Sequence, residues 1–167
     1  MTSARRSRNR WFGPALCGAL LALVLCVGVT SLVAAATTER IVVDPRTGLA
    51  IHGFDPVAYF TDAAASTGQS DLELSYRGAV WRFRNFGNRA AFAADPDVYM
   101  PQFGGYDPVV LARGVTIPGH PRLWLIADNR LYMFNSQEAL NAFAANPPAA
   151  TMVAEASWRA IRPQLVP

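Results

Sequence analysis

The sequence predicts an α+β fold. It reads as one small domain of two pseudo-repeated halves, each a helix, an antiparallel β-hairpin and a second helix, behind an N-terminal apolar helix. Three observations predict it: a pattern that recurs at an offset of 51 to 52 residues, a hairpin signal once in each copy, and helix start and stop signals that bracket each hairpin.

The chain opens with Arg5, Arg6, Arg8 and Arg10, and no charge follows from Trp11 to Thr38. The densest apolar stretch, 15–29, leads to Ala34-Ala35-Ala36. A basic region, an apolar region and a small-residue site in that order form a secretory signal, with cleavage expected after Ala36. The alternative is an uncleaved anchor, since a bilayer span needs about 20 apolar residues. Either way the basic flank stays inside and the domain lies outside the cytoplasm, periplasmic or secreted if cleaved and held at the inner membrane if not. Arg5-Arg6 is followed by polar and basic residues and does not read as a twin-arginine signal. Residues 37–48 read as a short lead, with one edge strand at Ile41-Val42-Val43, and the domain proper as 49–163.

Gly53-Phe54-Asp55-Pro56-Val57 recurs as Gly105-Tyr106-Asp107-Pro108-Val109. In each copy Asp stands at an N-cap and Pro at the first helical position, where its missing N–H is harmless, so short helices are expected over 56–60 and 108–112. Leu72, Leu74 and Tyr76 alternate with polar residues up to Arg77-Gly78, and Val80, Trp81 and Phe83 return. In the second copy Trp124-Leu125-Ile126 turns at Asp128-Asn129 into Leu131-Tyr132-Met133-Phe134. A helix follows each hairpin, the second expected to start at Asn135 with Glu138 completing a capping box. Both stop at a proline, Pro96 and Pro147. A last amphipathic helix over 151–161 places Ala154, Trp158 and Ile161 on the core.

All 15 basic residues are Arg, and four lie in the targeting segment. From residue 37 onward eleven Arg face twelve Asp and Glu, which removes the basic face a nucleic acid would need. Cys17 and Cys26 both sit in the apolar segment, so the mature domain has neither disulfide nor thiolate. Its sixteen aromatic residues recur at core spacings and read as packing. No nucleophile elbow, phosphate-cradling glycine loop or dinucleotide fingerprint is present, and the reading is not an enzyme.

The run Ile51-His52-Gly53-Phe54-Asp55-Pro56-Val57-Ala58-Tyr59-Phe60 resembles the YHS domain family in its exported bacterial form. The likeness continues through Gly78-Ala79-Val80-Trp81-Arg82-Phe83, Asn88-Arg89, Phe92, Asp95-Pro96, Tyr99-Met100-Pro101-Gln102-Phe103-Gly104-Gly105-Tyr106, Leu131-Tyr132 and Trp158. The resemblance implies a metal-handling module, with copper or zinc as the ion. Many exported members carry a cysteine directly after Gly-Gly-Tyr; here Asp107 stands there, a hard carboxylate that disfavours Cu(I).

Two functional expectations follow. In the first, a metal ion or small ligand binds in a cleft between the repeats, with His52, Asp55, Met100, Tyr106, Asp107 and His120 as candidate ligands. It requires His52, Asp107 and the 99–106 loop to converge, and against it Asp55 and Asp107 read equally as helix caps and the histidines as solvent-facing loop residues. In the second, the domain is a scaffold whose loop, Phe103, Gly104, Gly105 and Tyr106, meets a partner protein through an exposed aromatic patch.

Overall fold

The repeat read from the sequence is a repeat of structure, element for element. The computed structural model describes residues 39–166; the basic flank, the apolar segment and the expected cleavage site lie outside the described residues. Among the described residues no helix is long and apolar enough to cross a membrane. The first half runs through a 3-10 turn at Ile51–Gly53, α1 (Ala58–Thr61), the hairpin β1 (Gln69–Tyr76) and β2 (Ala79–Phe83), α2 (Phe86–Ala94) and α3 (Pro96–Tyr99). The second follows the same order: a 3-10 turn at Gln102–Gly105, α4 (Pro108–Leu111), β3 (His120–Ala127), β4 (Arg130–Phe134), α5 (Gln137–Ala145) and α6 (Pro147–Ile161). The strands form two separate two-stranded antiparallel sheets, so the fold is α+β.

Even the irregularities recur. Both hairpins turn on two left-handed residues, Arg77-Gly78 and Asp128-Asn129, the geometry whose twist matches the strands they join. Pairing shifts register between Gln69 and Glu73 in β1 and between His120 and Trp124 in β3.

Proline explains where the halves diverge. Pro96 and Pro147 each end one helix and open the next, each as the first residue of the new helix. In the first half Pro101 follows closely and Met100 is held extended (φ −63°, ψ 142°), so α3 ends after four residues. The second half meets no such stop, and α6 runs for 15 residues, beginning at Pro147 rather than at the expected Thr151. The cap of α5 is also displaced by one. Ser136 accepts from Ala139 N at 3.1 Å, while the Asn135 N–H is drawn to Asp107, so Glu138 falls one position short of a capping box.

Two hydrophobic clusters form, one per half, and β4 is the wall between them. Leu131 and Met133 belong to the first, with Trp81, Phe83, Phe92 and Tyr59; Tyr132 and Phe134 belong to the second, with Phe143, Leu111 and Tyr106. A strand buried on both faces needs apolar residues at every position, and Leu131-Tyr132-Met133-Phe134 supplies them. The first hairpin buries one face of β2: Ala79, Trp81 and Phe83 are inside, while Val80 and Arg82 are half-exposed.

The lead segment, expected outside the domain proper, is packed into it. Ile41 joins the first cluster and Val42 the second, with the backbone pinned by Arg40 N to Val166 O (2.7 Å) and Val42 N to Gly104 O (2.8 Å). In place of an edge strand it forms isolated bridges, such as Val43 with Ala50.

Tyr59 ties the halves together. Its buried hydroxyl donates to Pro121 O at 2.9 Å and its ring meets Trp124 edge-on at 5.2 Å. Burial holds the hydroxyl far above the ordinary phenol range, so it remains a donor. Tyr59→Phe keeps the ring contact and orphans the carbonyl, and chemical denaturation is expected to show a loss of about 1 to 2 kcal/mol.

Candidate functional site

Asp55 and Asp107 carry more than caps. Asp55 is fully buried; its Oδ1 accepts from Val57 N (2.8 Å) and Ala58 N (3.3 Å), which starts α1, and its Oδ2 accepts from Arg84 N (2.8 Å) and Asn88 Nδ2 (2.7 Å). One carboxylate thus joins the first helix, the end of the hairpin and α2. Asp107 is fully buried in the matching place, accepting from Val109 N (2.8 Å), Val110 N (3.2 Å) and Asn135 N (2.8 Å). Charge-assisted bonds from several donors are what a buried carboxylate without a cationic partner requires. The oxygens offered as metal ligands are therefore turned toward the protein's own N–H groups.

The remaining candidates are also committed elsewhere. His52 sits in left-handed backbone (φ 55°, ψ 27°) with its side chain about half-exposed, and its Nδ1 lies 3.3 Å from Asp44 Oδ2. The Arg46 N–H bond is the strongest influence on the Asp44 carboxyl; with the Thr47 N–H and the charges of Arg46 and His52 it outweighs the effect of burial and keeps that group below the usual carboxylate range. His120 is exposed, and its Nδ1 accepts from Arg122 N at 3.1 Å. Met100 is buried in the first cluster, and the Tyr106 hydroxyl donates to Glu39 O at 2.6 Å. Among the described residues no three His, Cys, Asp or Glu side chains gather into a group able to hold a metal ion. Of the residues whose convergence was expected, His52 pairs with Asp44 and Asp107 is bonded to backbone N–H groups of the second half.

The loop itself is inward-facing. Phe103 is 6% exposed and Tyr106 is fully buried, so the expected exposed aromatic patch is absent. The cause is the lead segment and α6: Phe103 and Tyr106 pack against Trp158 of α6 at 6.1 and 6.2 Å between ring centres, and Ile41 and Val42 close over the loop from the other side. The glycines do permit a close backbone approach, but the approaching backbone is the protein's own. A Cβ on Gly104 would lie 1.9 Å from Arg40 O.

Where lead, loop and α6 meet, the surface opens into a cleft of about 650 Å³. Ile41, Met100, Phe103 and Trp158 supply its apolar lining, and Arg40, Arg77 and Arg162 its charge. Both halves contribute, the first through the Arg77-Gly78 turn and the second through the end of α6. Of the sequence candidates, Met100, Phe103 and Gly104 line it; His52, Asp55, Asp107 and His120 do not. The three arginines and Trp158 were not legible as a site. They lie in three separate segments, and only Trp158 and Arg162, four residues apart at the end of α6, share a local spacing. Arg77 pairs with Asp97 at 3.0 Å across the mouth, the one acid in the lining.

Comparison of the chain with protein-family models, with curated proteins and with solved structures returned no match.

Proposed function

We propose that this chain is an exported, non-catalytic binding module of the YHS type, periplasmic, secreted or held at the inner membrane, that takes a small ligand in the cleft beside the 99–106 loop. The observation that carries the reading is the cleft itself. Its volume falls in the roughly 300 to 1,000 Å³ range of small-molecule sites, and it combines an apolar lining with a few charged groups. The sequence resemblance and the cysteine-free mature domain agree with a binding rather than a redox role. The small-ligand form is preferred to the metal form because the carboxylates that would bind an ion are spent on backbone N–H groups.

The test is a thermal-shift screen of the full chain, purified in a neutral detergent, against small carboxylates, phosphates, sugars and aromatic compounds. At least one class is expected to raise the melting temperature. Gln102→Trp, which fills the cleft from a half-exposed position, is expected to abolish that rise while melting like the parent without ligand. A rise unchanged in Gln102→Trp would place binding elsewhere, and stoichiometric copper or zinc binding lost in His52→Ala would return the metal form.

A further inference from the structure

Resting on that reading, we infer that the ligand of this cleft is an oxyanion, a carboxylate or phosphate carried on an apolar body. The charge lining the cleft is unbalanced. Arg77 is matched by Asp97, at 3.0 Å to one oxygen and 3.4 Å to the other. Arg40 and Arg162 have no carboxylate within ion-pair distance among the described residues. Two arginines of the lining are therefore without an ion-pair partner among the described residues, which raises the local concentration of anions and opposes cations.

Arg40 adds a second, independent observation. Its Nε is buried, and it is the one buried side-chain nitrogen or oxygen among the described residues without a hydrogen-bond partner. A buried charged donor normally has an acceptor, because leaving it unmade costs its full desolvation penalty. The main chain of Arg40 is fixed in this position. Its N–H is bonded to Val166 O, and the neighbouring Ile41 and Val42 are locked into the two cores. An anion entering beside Arg40 would supply the missing acceptor once the side chain turns its Nε toward the cleft, where Nε and a terminal nitrogen offer two parallel N–H groups at the spacing of two oxygens on a carboxylate or phosphate. Lysine would not offer that fork.

The apolar body follows from the rest of the lining. Phe103 and Trp158 stand edge to face at 73°, with Ile41 and Met100 beside them, so an inorganic ion alone would leave this surface uncovered. The same phosphate chemistry occurs on free metabolites and on phospholipid headgroups, and the test must separate them.

The probes are benzoate and phenyl phosphate, benzyl alcohol as their neutral counterpart, and dihexanoylphosphatidylglycerol below its micelle concentration, titrated into the full chain in neutral detergent by calorimetry. Benzoate or phenyl phosphate is expected to bind, with affinity falling as salt is raised, and at least about tenfold more weakly in Arg162→Gln and in Arg40→Lys. Arg162 is exposed, so its variant reports on binding with the fold intact even if the Arg40 variant is destabilised. Binding of the short-chain lipid alone, with the same arginine dependence, also supports the inference and assigns the anion to a headgroup. If benzyl alcohol binds as well as the anions and only Gln102→Trp weakens it, the inference is overturned and the small-ligand reading stands. If no probe binds, the inference falls; the reading itself falls only if the wider screen also finds nothing.

Discussion

Asp55→Ala is expected to lower the melting temperature by about 10 °C or more, the largest effect of any single side-chain truncation outside the apolar cores. The carboxylate is fully buried and accepts from three backbone N–H groups and the Asn88 amide. Alanine leaves four donors, three of them buried, without acceptors, a loss of roughly 3 to 5 kcal/mol. At this chain length each kcal/mol moves the midpoint by about 3 to 5 °C. Asp107→Ala removes three such bonds and is expected to cost somewhat less. Asparagine at either position keeps the shape and one acceptor, and should fall between. A residue kept for metal binding would behave in the opposite way, with its loss abolishing binding and sparing the fold. Thermal melts of the alanine and asparagine variants at both positions decide between the two.

Gly104→Ala is expected to dislodge the lead segment. The added methyl would lie 1.9 Å from Arg40 O, and that atom belongs to backbone held by Val166 and by the buried side chains of Ile41 and Val42. Nothing flexible can give way, so the bond from Val42 N to Gly104 O breaks and both clusters lose a covering residue. The cost is put at about 3 kcal/mol or more, part of it from the left-handed backbone (φ 67°) that alanine tolerates poorly. Gly114→Ala is the control: φ is 81° and no atom lies within 4 Å of the added methyl, so only the backbone term of about 1 to 2 kcal/mol applies. Limited proteolysis of the two variants separates the contributions, with rapid cleavage near residues 40–44 expected in Gly104→Ala alone.

Much of this architecture was legible. The repeat, both hairpins, their turns, and the prolines that end α2 and α5 were all written in local patterns, because turn chemistry and helix punctuation act over four or five residues. The one-residue difference at Ser136 arises where a tertiary bond competes with a local one, as Asp107 draws the Asn135 N–H away, whereas the earlier start of α6 at Pro147 is local, set by the Asn146 side chain accepting from Ala149 N. The packing of the lead segment is not legible, for a different reason. Ile41-Val42-Val43 is a three-residue apolar run with no period, and only the distant loop at Gly104 gives it a place to pack. The same distance hid the cleft. Arg40, Arg77, Trp158 and Arg162 meet only once the halves are assembled, whereas Asp55 and Asp107, conspicuous in the repeat, proved to be where the chain holds itself together.

The two-faced strand β4 governs how the protein comes apart. Its Leu131 and Met133 complete one cluster and its Tyr132 and Phe134 the other, so pulling either half away strips apolar surface from both. A chain that counts as two units by its repeat is thereby one unit in cooperativity. Hydrogen exchange is expected to show both cores opening together, with no half-melted state in which one survives while the other exchanges its amides with water. For a domain of this size, that coupling lets a small internal duplication behave as a single thermodynamic body.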